Sequence, residues 1–136
     1  MKIEASELRK VFADVPVVII PDRNYHCPSK RWVLGVVYDN FAGYLGQRGQ
    51  SYERRFDCDD HARMFAVWAV LEYIKEIREP EGVAVGELFY RRRDGVGHAI
   101  NVAVLDNKKV TYIEPQLGRT IRLNQDEKKS IWFVRF

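Results

Sequence analysis

Three observations predict an α+β fold: one long helical segment with a chargeless centre, a train of short β-rich runs behind it, and turn residues between those runs. Residues 57–79 supply the helix. Asp57 is an N-cap residue, Asp59 and Asp60 put negative charge in the first turn, and Met64 to Leu71 pass without a charge. A helix apolar on every side is expected to be buried on every side. Pro80-Glu81-Gly82 ends it, and strands are predicted at 83–91, 98–105, 109–114 and 131–136. The expected architecture is one central buried helix packed on an antiparallel sheet, with residues 1–136 forming a single domain.

Upstream, residues 4–12 suit a short helix with Leu8, Val11 and Phe12 at helical spacing, and residues 15–20 read as an extended apolar segment closed by Pro21. Ser29 offers a cap to a helix in which Trp32, Val33, Val36 and Val37 share a face, although the valines suit a strand equally well. Gly43, Gly46 and Gly49 predict a loop over 40–51. In the last strand, Trp132 and Val134 alternate with Phe133, and either face could be the buried one. Phe133 and Phe136 there are candidates for an exposed apolar edge that invites a partner.

At 136 residues, 46% hydrophobic and net charge +3, the chain suits one compact core and one site. The basic run Arg91-Arg92-Arg93 is a weak nucleic-acid footprint, so nucleic acid is not the expected partner. Two cysteines, Cys27 and Cys58, do not make a disulfide framework. No apolar signal core opens the sequence and no run is long enough to span a bilayer, so a cytoplasmic protein without membrane contact is expected.

The residues with chemical meaning fall in a definite order. Cys58 sits in Phe56-Asp57-Cys58-Asp59-Asp60-His61-Ala62 at the positive end of the helix dipole, His98 in Gly97-His98-Ala99, and Glu114 in Tyr112-Ile113-Glu114-Pro115-Gln116. Nucleophile, base and orienting carboxylate is the corresponding set of roles. A three-residue hairpin loop at Leu105-Asp106-Asn107 would pair Val104 with Lys108 and put His98 directly opposite Glu114, about 5 Å apart. Ile100, Val102, Val104, Val110 and Tyr112 then share their face, the natural bed for the helix, with its direction left open. His61, one turn after Cys58, ranks second as a base. Cys27 is read as structural.

This order and these words resemble the papain-like cysteine peptidases. Asp57-Cys58-Asp59-Asp60-His61-Ala62, Gly97-His98-Ala99-Ile100-Asn101-Val102 and Ile113-Glu114-Pro115-Gln116 are more closely similar to the protease half of the fairy-ring mushroom agglutinins and their phage and bacterial relatives. The resemblance implies a papain-like domain and a cysteine protease-like hydrolase, acting in the host cytoplasm if phage-encoded. It further implies cleavage of a peptide or protein amide through a thioester on Cys58, with His98 as base and Glu114 fixing its tautomer. Gln50, and less directly Gln47, are candidates for the side-chain oxyanion donor beside the Cys58 backbone N–H. Calcium is the implied cofactor, with Asp59, Asp60 and Gln116 as candidate ligands, since oxygen donors suit that ion. A cation would also relieve the conflict between a nucleophilic thiol and its acidic neighbours. The agglutinins' sugar-binding trefoil has no room here, so its glycan targeting is not expected. The alternative function is a noncatalytic binding or phage assembly module.

Overall fold

The computed structural model describes residues 1–136. In chain order the elements are β1 (Lys2–Glu4), α1 (Ala5–Val11), β2 (Val17–Ile19), β3 (Asn24–His26), a π-helical stretch (Trp32–Val37) that runs into α2 (Tyr38–Gln47), and α3 (Cys58–Glu76). There follow β4 (Gly82–Val83), β5 (Val85–Arg91), β6 (Gly97–Val104), β7 (Val110–Glu114), β8 (Arg119–Ile121), α4 (Gln125–Lys129) and β9 (Phe133–Arg135).

The alternation rule places successive residues of β6 on opposite faces, yet every residue from Ala99 to Val104 is buried. A strand buried on both faces must be covered twice. On one face Ile100, Val102 and Val104 meet Leu88 and Val134 of the same sheet and, from the N-terminal segment, Leu8, Phe12 and Tyr25. On the other, Ala103, Leu105 and Ile113 meet Phe65, Ala69 and Tyr73 of α3, with Val37 and Phe41 behind them. Each such side chain taken fully from water contributes roughly 1.5–3 kcal/mol, so neither cover is dispensable. The main sheet has six strands in the order β2-β9-β5-β6-β7-β8, and a smaller sheet joins β1, β3 and β4.

Several expectations are corrected. The sheet is mixed rather than antiparallel, because β2 runs parallel to β9 through Val18 opposite Val134. The helix α3 is not buried all round: it turns Phe65, Ala69 and Tyr73 to the core, while Val67, Val70, Leu71 and Ile74 are exposed, 60% at Ile74. Residues 40–47 are helical despite Gly43 and Gly46, because Phe41 and Leu45 anchor that turn against α3, and the loop begins only at Arg48. The Ser29 cap forms, its Oγ accepting the Trp32 N–H at 3.1 Å, and of the two open alternatives over 30–37 the helical one is adopted. The last strand is internal, between β2 and β5. Val134 is buried, Phe133 stacks on Phe89 at 4.8 Å, and Phe136 packs against Phe12 and Tyr25, so no apolar edge is left there.

Candidate functional site

The loop before α3 closes on itself, with Glu53 and Phe56 exchanging backbone hydrogen bonds at 3.1 and 2.9 Å, and it delivers Asp57 in extended conformation as the helix cap. The Asp57 N–H donates to the Asp60 carboxylate at 3.3 Å. Cys58 is therefore the first helical residue, half-buried and unoxidised, at the positive end of the dipole. One ligand oxygen from each of Asp57, Asp59 and Asp60 can be chosen so that all lie within 4.8 Å of one another. A shared hydrogen bond with Asp59, then desolvation, then the like charges of Asp59 and Asp60 hold the Asp57 carboxyl above its ordinary range. Hard oxygen donors with unneutralised repulsion fit a calcium-like cation. Two of the three expected ligands, Asp59 and Asp60, belong to this group, and Asp57 joins them. Gln116, the third, lies outside this carboxylate group, and its backbone N–H donates to Glu114 Oε1 at 3.3 Å.

His98 and Glu114 do meet, His98 Nε2 lying 2.7 Å from Glu114 Oε2 with both side chains nearly buried. They meet in a different register from the expected one. Val104 pairs with Val110 and Asn101 with Ile113, so the connection is two residues longer than a three-residue loop, with Lys108 at φ 60° inside it. Lys108 N–H bonds Leu105 O at 2.7 Å and Leu105 N–H bonds Lys109 O at 3.0 Å, which closes the longer turn. An even shift preserves the face, and His98 reaches Glu114 diagonally rather than directly across the ladder. Glu114 is held from its own turn as well, through the Gln116 N–H on Oε1. Tyr90 meets the His98 ring edge-on at 5.9 Å, and its burial pushes its phenol up to about 12.

The helix lies on the other face. The bed predicted for it, Ile100, Val102 and Val104, belongs to the core shared with α1, whereas α3 packs on Ala103, Leu105 and Ile113. No hydrogen bond joins the Cys58 thiol to His98; the imidazole's partner is Glu114. Gln50, the oxyanion candidate, donates its amide to Ser51 O at 3.0 Å. His61, the second-ranked base, is 5% exposed, with Nδ1 2.9 Å from Asp57 O and its ring against Phe56 at 4.3 Å, so it acts as packing. Cys27 is buried, which raises its thiol pKa and suits a structural residue.

Two residues matter here that the sequence reading passed over. Asn101 is fully buried, and its Nδ2 donates to Ala62 O at 2.8 Å and Gly86 O at 3.0 Å, tying the start of α3 to β5. A lone amide inside the apolar run 99–105 was the available signal. Tyr52, 56% exposed, stacks over His61 at 6.0 Å, within electrostatic reach of Cys58, Asp57 and Arg92. No periodicity marks it, because it lies in a loop.

No family model matches the chain, and no curated protein matches it. Solved structures do. A PSL1a–E64 complex superposes with TM-score 0.79 at 19% identity, covering 99% of this chain and 51% of that one. Polyporus squamosus lectin bound to the human-type influenza-binding epitope Neu5Acα2-6Galβ1-4GlcNAc superposes with TM-score 0.76 at 18% identity, covering 99% and 49%. The chain thus spans about half the length of the structures it matches, and at such identities the likeness is one of fold. It corrects the resemblance drawn from short motifs. The fold is matched to that of a lectin, and the papain-like assignment, the cysteine protease-like hydrolase and the thioester route through Cys58, His98 and Glu114 are withdrawn with it.

Proposed function

We propose that this chain is a binding module without turnover, and that its ligand is a saccharide rather than a peptide substrate. The observation that carries this reading is the fold likeness to a lectin with a bound sialylated epitope over 99% of the chain. The geometry is compatible with it. No hydrogen bond joins Cys58 to His98, and Gln50, the expected oxyanion donor, gives its amide to Ser51 O in its own loop. Tyr52, 56% exposed, offers a flat apolar face, and Asp57 and Arg92, within its electrostatic reach, offer polar groups that would orient a hydroxyl-rich ligand. In this reading Cys58, His98 and Glu114 are positions of a binding rim.

Calcium is a further part of the proposal, with Asp57, Asp59 and Asp60 as the residues that would hold it and charge neutralisation as what it would supply. A reducing, cytoplasmic compartment is proposed on the two unpaired cysteines, Cys27 and Cys58. No helix is long and apolar enough to cross a membrane.

The test is an NMR titration of labelled protein with a saccharide panel that includes the sialylated trisaccharide, with and without calcium, alongside a peptide-cleavage assay. Saturable shifts around Tyr52 and Glu114 that weaken in Tyr52→Ala support the reading. Absence of shifts at millimolar saccharide removes that ligand class. Peptide cleavage that vanishes in Cys58→Ala would overturn the noncatalytic assignment itself.

A further inference from the structure

The basic residues of this chain are not spread evenly. Where β8 stops short, Tyr112 is the last β7 residue with a β8 partner, and Val110 and Thr111 run on beyond it. The notch so formed has a volume of about 500 Å³ and opens to solvent beside the β6–β7 turn. Four charged side chains line it, Lys30, Lys109, Arg122 and Lys128, and all four are cationic. They come from four separate parts of the chain: the entry to the π-helical stretch, the β6–β7 turn, the exit from β8, and α4.

None of the four forms an ion pair. No carboxylate lines the notch beside them. Lys108, one residue from Lys109, is paired with Glu7, and Glu127, one residue from Lys128, is turned to the Asn124 N–H at 3.0 Å. Thr111 and Thr120 also line the notch, with no hydrogen bond made by either hydroxyl. Convergent like charges in a concave, partly apolar setting repel one another and focus a positive potential, a cost removed when an anion binds. Hydrogen bonds between charged partners are also the strong ones.

We propose that this notch is a binding site for a small polyanion carrying two or more phosphate or sulfate groups. The volume lies in the range of small-ligand sites, about 300–1,000 Å³, and four separated cations exceed what one monoanion can neutralise. This assignment is independent of the saccharide reading of the α3 rim, which lies elsewhere on the sheet.

The probes are sodium tripolyphosphate and a sulfated heparin-derived disaccharide, titrated separately into isotope-labelled full chain at low salt and again near 0.15 M. Shifts confined to Lys30 and to residues 105–123 and 128 are expected, weakening as salt screens the charges. Arg122→Gln and Lys128→Gln, both exposed and so expected to fold normally, should each weaken binding at least about threefold, and the double variant about tenfold or more. Response to tripolyphosphate alone or to the disaccharide alone supports the site and identifies the source of the anion. Binding that is unchanged in the double variant, or shifts that fall instead on Arg91 to Arg93, would overturn it. So would binding of a single-stranded oligonucleotide with neither small probe bound.

Discussion

Replacing Asn101 tests the joint between α3 and the sheet. The amide is fully buried and donates twice, to Ala62 O on the helix and Gly86 O on β5, while its own Oδ1 finds no partner. Asn101→Ala removes two hydrogen bonds at about 1 kcal/mol each and opens a small void, and deleting the unsatisfied Oδ1 returns part of that loss. The expected net cost is therefore about 2 kcal/mol, or roughly 8 °C in Tm at about 4 °C per kcal/mol for a chain this size. Asn101→Asp keeps the shape and replaces the donor by a carboxylate facing two carbonyl oxygens, an arrangement expected to cost at least about 3 kcal/mol near neutral pH. Urea denaturation at 25 °C measures both, with the slope checked for constancy. If Asn101→Asp proves no worse than Asn101→Ala, or if Asn101→Ala costs less than about 0.5 kcal/mol, the donor role is wrong.

Three further predictions rest on neighbouring features. Glu87 is 5% exposed with Oε2 unpartnered, and burial raises its carboxyl pKa against the opposing pull of Arg63 and Arg135. A raised folded pKa makes its contribution full below the unfolded value and loses it as pH climbs through the folded one. Glu87→Gln should thus gain about 1 kcal/mol at pH 7 and nothing near pH 4, read by denaturation at both; a gain equal at both pH values would refute the burial argument. At Gly86 an added Cβ would stand 2.2 Å from the Arg135 backbone oxygen, so Gly86→Ala should force β5 and β9 apart and cost upwards of about 3 kcal/mol in thermal unfolding. With Glu114 accepting from His98 Nε2, neutral His98 should carry its proton on Nε2, and ¹⁵N ring shifts should report that tautomer in the wild type and a mixture in Glu114→Ala.

The sequence made the elements legible where one signal dominated. Asp57 followed by Asp60 marks the start of α3, because capping is local, whereas the helix ends at Glu76 with Ile77 already extended, short of the end at 79 that Pro80 suggests. The His98–Glu114 pair was legible for a subtler reason: the turn length was misjudged by two residues, and a period of two forgives an even error. What lies between Arg48 and Phe56 was not legible, since Tyr52 owes its position to stacking over His61 and not to any local pattern. Nor was α2, where glycines punctuate a helix that tertiary contacts of Phe41 and Leu45 hold together.

By itself the sequence determined where the helix begins, which residues alternate along β6 and β7, and that Cys58, His98 and Glu114 stand at element ends. Only the tertiary structure decided which cover lies on which face. The same alternation that puts Ile100, Val102 and Val104 on one side is equally satisfied by α1 or by α3 above them, and long-range packing against Leu8, Phe12 and Tyr25 chose α1. That choice put α3 on the other face, and the folded chain gathers Lys30, Lys109, Arg122 and Lys128 from distant parts of the sequence into one notch. Periodicity reports the side of a strand on which a residue lies; what covers that side is a property of the whole fold.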